Sequence, residues 1–289
     1  MPTRDFNERS ITDAVVERFA TTPNPRLKQI LTSMVRHAHD FVRDVELTQD
    51  EWLYAIRFLT RTGHMCDDKR QEFILLSDTL GVSMLVDAIN HRQAAGATET
   101  TVLGPFYVQN PPVKAIGADI AAGLHGMPLH VTGTVKSADG RVLGGATVDV
   151  WQSDDDGFYD VQKESDDPSL RARFIADNDG RFDFWTIAPK FYPIPYDGPV
   201  GDMLKATKRH PYRPAHIHFM IAQPGYDTLV THLFDDNDPY LDSDAVFGVK
   251  QSLIVHLEER KRPAPGRPDL SAWKRIDHTF GLKPQEQKS

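Results

Sequence analysis

Near Gly96 the spacing of apolar residues changes from three-and-four to two, and that switch restricts the chain to a helical part followed by a β-rich part. Before it, Asn24-Pro25 opens a helix that carries Leu27, Ile30, Leu31, Met34 and Val35 on one face. Thr48-x-x-Glu51 is a capping box, in which each side chain satisfies the other residue's backbone N–H. It predicts a helix over 51–61 with Trp52, Ala55, Ile56 and Leu59 on one side. Gly63 stands where a C-terminal cap would fall. Asp67 or Asp68 can cap a further helix with Phe73, Leu76 and Leu80 on its face and Gly81 at its end. A shorter helix over 83–89 follows. Such stripes are packing surfaces, and those of the first helices also suit pairing with a second copy of the chain.

From Thr101 onward, Gly, Pro and Asp-Gly punctuate short β-type runs. Residues 129–135 alternate, Asp139-Gly140 marks a tight hairpin, and 145–151 return. Residues 174–175 and 181–185 flank a turn at Asp177-Asn-Asp-Gly180, and strands are expected over 216–221, 229–234 and 253–257. There is no strand–helix alternation, no glycine-rich phosphate loop and no long-period repeat. The expectation is a mostly β protein, a sandwich or barrel over 101–289, preceded by an α-helical part over 1–100.

Charge and composition exclude several functions. A net charge of −8 argues against nucleic acid as a partner. No apolar run reaches the roughly 18 residues that a membrane helix needs, so no membrane partner is expected. Residues 1–8 lack the apolar core of a signal peptide. Cys66 is the sole cysteine, which rules out an intramolecular disulfide and a cysteine-rich metal site. These features predict a protein of the reducing cytoplasm.

The segment Arg213-Pro-Ala-His216-Ile-His218 places two imidazoles on one face of a strand, because successive strand side chains point to opposite faces. His37-Ala-His39 has the same spacing inside a helical run, where positions two apart diverge, and is read as helix surface. By itself the strand pair suits zinc, copper, manganese or iron, or two strand histidines that bind nothing. Tyr159, just past a strand, and Tyr192, in the loop Ala188-Pro-Lys-Phe-Tyr192-Pro-Ile-Pro, are phenols on loops held by a rigid scaffold.

Gly133, Val148-Asp149-Val150 and Gly157-Phe158-Tyr159, taken with Tyr192, Arg213, His216 and His218, resemble the signature of the intradiol ring-cleaving dioxygenases in order and approximate spacing. The similarity runs from the N-terminal helices to the end and includes Leu103-Gly-Pro-Phe-Tyr107. The resemblance implies one non-haem Fe(III) per subunit, held by Tyr159, Tyr192, His216 and His218. It also implies that 101–289 form the catalytic β-sandwich and 1–100 a helical domain that makes a homodimer, with a lipid at the helical interface in some members. Tyrosinates are hard anionic donors that favour Fe(III), and a bound metal deprotonates a phenol whose ordinary pKa is about 10. The implied reaction opens a catechol-type ring with O2 between its two hydroxylated carbons. Tyr192 is the displaceable ligand, and Arg213 the guanidinium that stabilises charge on the ring.

By the same resemblance, the substrate pocket is lined by Leu75, Asp78, Val102, Leu103, Gly104, Pro105 and Phe106, with Ile194, Pro195 and Arg213. A carboxylate such as Asp78 facing an aromatic pocket needs a donor, and an extra ring hydroxyl supplies one. His232 stands where many catechol-cleaving members carry glutamine, and is read as a neighbour of the site hydrogen-bonded near it. These features resemble hydroxyquinol-cleaving members and imply hydroxyquinol as the diol. Catechol or a chlorocatechol is the alternative substrate. The alternatives of other classes are a metal-free prealbumin-like binding module, suggested by Gly133-Thr-Val and Gly145-Ala-Thr-Val-Asp-Val, and a zinc hydrolase.

Overall fold

The computed structural model describes residues 4–67, 70–92, 94–163, 168–261, 264 and 266–285. The chain forms two compact units, Met1–Arg61 and Thr62–Ser289.

In the first unit, α1 (Ile11–Glu17) packs on α2 (Pro25–Asp44), and α3 (Gln49–His64) begins. Asn24 caps α2 by accepting from the Leu27 N–H at 3.0 Å. The capping box forms: the Thr48 N–H donates to Glu51 Oε2 at 2.9 Å and the Glu51 N–H to the Thr48 hydroxyl at 3.4 Å. His39 reaches Thr12 of α1 at 3.0 Å while His37 is exposed, so the two histidines diverge as helical spacing requires. Gly63 does not end α3; it lies inside the helix, where a Cβ would meet the Phe73 ring at 3.6 Å, an ordinary contact distance. Among the described residues no helix is long and apolar enough to cross a membrane.

In the second unit α4 (Glu72–Thr79) starts later than its capping signal suggests. Asp67 closes a turn onto the Arg70 N–H at 2.7 Å instead of capping the helix, and Asp68 lies outside the described residues. Gly81, at φ 74°, ends α4 and opens α5 (Val82–Asn90) in a left-handed conformation that suits glycine.

The remainder is a sandwich. One sheet has the order β10 (Glu258–Arg260), β11 (Trp273–Leu282), β1 (Pro128–Ser137), β4 (Arg181–Ile187). The other has β3 (Arg171–Ile175), β2 (Thr147–Trp151), β7 (His216–Ala222), β8 (Leu229–Asp235), β9 (Ile254–Val255). Between them pack Leu129, Val131, Phe182, Phe184, Ile276 and Phe280 from the first sheet and Val148, Val150, Phe174, Ile217, Phe219 and Leu233 from the second. A two-residue ribbon, β5 (Tyr192–Pro193) with β6 (Tyr212–Arg213), and the helix α6 (Pro199–Ala206) lie between β4 and β7 in sequence.

Two expectations change. The tight hairpin at Asp139-Gly140 forms, with Lys136 pairing antiparallel with Val142, and the turn at Asp177–Gly180 closes, but the strand that follows each turn does not pair with the strand before it. β1 and β2, like β3 and β4, belong to different sheets, so each connection carries the chain across the core. The strand β11, which sequence reasoning missed, runs parallel to β1 from Leu129 opposite Lys274 to Ser137 opposite Leu282.

Candidate metal centre

The two-residue period of β7 sends Ile217, Phe219 and Ile221 into the core and leaves His216, His218 and Met220 on the other face. Trp151 of β2 and His232 of β8 stand directly opposite His218 on the flanking strands. Trp151 stacks on the His218 ring at 4.6 Å between centroids, and His232 meets it edge-on at 4.1 Å. Tyr159 leaves the end of β2 through a turn in which Asp154 accepts from the Asp156 and Phe158 N–H groups. In that turn Gly157 has φ 87°, and a Cβ there would stand 2.9 Å from Cβ of Tyr192, so glycine lets the two tyrosines converge. The β5–β6 ribbon sets Tyr192 opposite Arg213.

The polar ends of these side chains meet at one point. The Tyr159 hydroxyl is 3.2 Å from that of Tyr192 and 2.9 Å from Nε2 of His218. Nε2 of His218 is 3.1 Å from Nε2 of His216, which is 3.3 Å from Nη1 of Arg213. All five side chains are buried.

The arrangement fits a metal. Two donors at right angles around one ion, each about 2.1 Å from it, stand about 3.0 Å apart, the spacing of these contacts. Nδ1 of His216 lies 2.7 Å from the Pro214 carbonyl, which fixes its proton there and turns the Nε2 lone pair inward. Burial, and then the charge of Arg213, pushes His216 down to about 3. Burial likewise holds His218 and His232 well below the usual imidazole range, so all three rings are neutral, as ligation requires. Burial and the neighbouring Tyr192 raise Tyr159 well above an ordinary phenol, so ionising it calls for a cation against its oxygen. His216, His218 and His232 offer nitrogens within 4.8 Å of one another. Neither nitrogen of His232 has a partner at normal hydrogen-bond geometry, although the Val102 carbonyl lies close enough to favour a proton on the ring.

Burial works against the charge of Arg213, but Asp244 and Tyr192 raise its pKa above the usual arginine value. Asp244 Oδ1 accepts from Nε of Arg213 at 3.1 Å and Oδ2 from Nη2 at 3.3 Å; Oδ2 also accepts from the Gly248 N–H at 2.9 Å.

The expected pocket residues divide. Leu75 and Val102 pack on a buried cluster with Ile194, Leu204, Ala245 and Val246. Gly104, at φ 76°, brings its backbone against His218: a Cβ there would stand 3.2 Å from that ring. Phe106 stacks on Tyr159 at 4.4 Å. Asp78 is buried rather than on the helix surface. Burial raises its pKa, which the Ser83 hydroxyl and the Arg213 charge pull back. Pro195 is half-buried, while Leu103 and Pro105 are exposed. Sequence reasoning missed Trp151 and Asp244. The first was accessible from strand register, being on the face of β2 opposite its core valines; the second, on a loop 31 residues from Arg213, gave no signal.

Residues 102–274 match the family described as Dioxygenase, and residues 24–98 match Catechol dioxygenase N terminus. Over 252 residues the chain is 57% identical to a 6-chlorohydroxyquinol 1,2-dioxygenase of Cupriavidus pinatubonensis, covering 87% of this chain and 91% of that protein. It is 50% identical over 284 residues to a hydroxyquinol 1,2-dioxygenase of Rhizobium sp., covering 96% of each. The solved structure of a hydroxyquinol 1,2-dioxygenase from Pseudomonas putida DLL-E4 superposes with a TM-score of 0.90 at 54% identity, covering 96% of this chain and 99% of that one.

Proposed function

Because the chain belongs to the intradiol ring-cleaving dioxygenases, enzymes that open aromatic diols with O2, we propose that its substrate is hydroxyquinol, opened to 3-hydroxy-cis,cis-muconate, the tautomer of maleylacetate. The observation that carries this reading is the meeting of two phenols and two neutral imidazoles beside a buried guanidinium that also acts on Asp78. Tyr159, Tyr192, His216 and His218 would hold one Fe(III), which would act as a Lewis acid drawing electron density from the bound diol.

The protein's own groups do the rest. Tyr192, on a ribbon only two residues long, would be a phenolate while it holds the metal and, on giving way to the diol, its oxygen would take the proton of one substrate hydroxyl and become a neutral phenol. Arg213, gripped by Asp244, presents fixed positive charge where the ring becomes electron-rich. Phe106 and Trp151 stack on Tyr159 and His218 and hold those two rings in place. Asp78 accepts a hydrogen bond from the third ring hydroxyl, which offsets the burial of its carboxylate. The homodimer is part of the same proposal: α2 and α3 leave Ile30, Met34, Trp52 and Ile56 exposed, apolar surface of the kind a second copy covers.

The test is the visible spectrum of the iron-loaded protein before and after anaerobic hydroxyquinol. A tyrosinate charge-transfer band that moves to longer wavelength supports the reading. A protein that stays colourless after reconstitution with Fe(III) ends it. For the substrate, Asp78→Asn is expected to lower kcat/KM for hydroxyquinol about 10- to 100-fold, the worth of one hydrogen bond to a charged group, and to leave catechol within about threefold. Equal losses on both diols would favour the catechol alternative.

A further inference from the structure

One partly exposed arginine joins the segments that carry the two carboxylates acting on Arg213. Arg209, just past the end of α6, donates from Nη1 to the Thr79 carbonyl at 2.7 Å and from Nη2 to the Ala245 carbonyl at 3.1 Å. Thr79 follows Asp78 in the chain, and Ala245 follows Asp244. The Arg209 guanidinium also lies 5.2 Å from the centre of the Phe247 ring, and a Cβ on Gly81 would stand 3.6 Å from that same ring. At the other end of α4, the buried Glu72 carboxylate accepts from Nε of Arg70 at 3.0 Å and from the Val200 N–H, near the start of α6, at 3.1 Å. The helix bearing Leu75 and Asp78 is therefore tied to α6 or its immediate extension at both ends, and the Arg209 tie continues into the loop that holds Asp244.

The chemistry of the tie matters. The Thr79 carbonyl is among the last of its helix, where carbonyls lack a partner within the helix. A guanidinium presents its donors in a rigid planar fork, so two carbonyls bound to it are held at a fixed separation; a lysine ammonium is a single point on a flexible stem. Asp244 grips Arg213, and Asp78 feels the Arg213 charge. We propose that Arg209 is a positioning residue that fixes the separation of Asp78 from Arg213 and thereby tunes the preference for a diol bearing a third hydroxyl. This rests on the role of Asp78 given above.

The test uses the iron-loaded enzyme, with Arg209→Met, Arg209→Lys and Asp78→Asn assayed side by side on hydroxyquinol and catechol. Arg209→Met is expected to raise KM for hydroxyquinol about tenfold, with kcat and both catechol constants within about threefold, as for a displaced recognition group. Arg209→Lys should fall between, and the charge-transfer band of both variants should match the parent's. If Asp78→Asn erodes the preference and Arg209→Met does not, the positioning role is wrong while the substrate reading stands. If Arg209→Met weakens both diols in equal proportion, the arginine is an ordinary structural contact and the proposal is overturned. If Asp78→Asn leaves the preference intact, the substrate reading falls and the role of Arg209 falls with it.

Discussion

Replacing Tyr159 by phenylalanine is expected to lower turnover of hydroxyquinol by about three orders of magnitude or more, to weaken and shift the charge-transfer band to what Tyr192 alone supplies, and to leave the apo protein folded. The substitution deletes one oxygen from a fully buried ring whose packing against Phe106 survives. That oxygen touches both the Tyr192 hydroxyl and His218 Nε2, so its loss takes a donor from the centre of the cluster. Lewis-acid stabilisation by a bound metal is worth several kcal/mol, and each 1.36 kcal/mol or so is a factor of about ten in rate. The apo protein should melt close to the parent, because a buried phenol hydroxyl crowded against a phenol and an imidazole adds little net stability. Iron content, visible absorption and apo melting temperature together check this. A variant with full iron and near-parent turnover would remove Tyr159 from the site.

How far the sequence reveals such a site depends on the element that carries each residue. His216 and His218 share a face by strand geometry alone, and the same geometry separates His37 from His39 on a helix. Tyr159 and Tyr192 sit on connections with no period, so their meeting was legible only through resemblance to a known family. Turn chemistry marks where the chain reverses but not which sheet receives the next strand. Asp139-Gly140 is a true hairpin turn, yet the strand β2 that comes after it belongs to the other sheet, as β4 does after the turn at Asp177–Gly180. The strand β11 escaped notice because Lys274, Arg275 and Asp277 dilute its alternation, and its partner β1 is far away in sequence. Gly63 looked like a helix end because a glycine inside a helix and one at its C-terminal cap give the same local signal.

Replacing Arg213 by methionine is expected to do two separable things. Its guanidinium and the Asp244 carboxylate are both almost wholly buried, so removing the cation leaves an anion held only by backbone N–H groups such as those of Val246 and Gly248. Breaking a buried pair from one side costs about 3–5 kcal/mol, because the remaining charge stays desolvated and uncompensated. Turnover should fall about 10²- to 10³-fold beyond any loss of folded protein, the usual effect of deleting one preorganised group that meets developing charge. The double variant Arg213→Met with Asp244→Asn separates the two effects. It leaves no uncompensated charge, so most of the stability should return, while turnover should stay as low as in the single variant. Chemical denaturation and kcat on hydroxyquinol, measured on parent, both single variants and the double, close the cycle. If turnover rises in step with stability in the double variant, Arg213 only supports the fold around Asp244. If stability returns and turnover does not, its positive charge is required by the reacting ring itself.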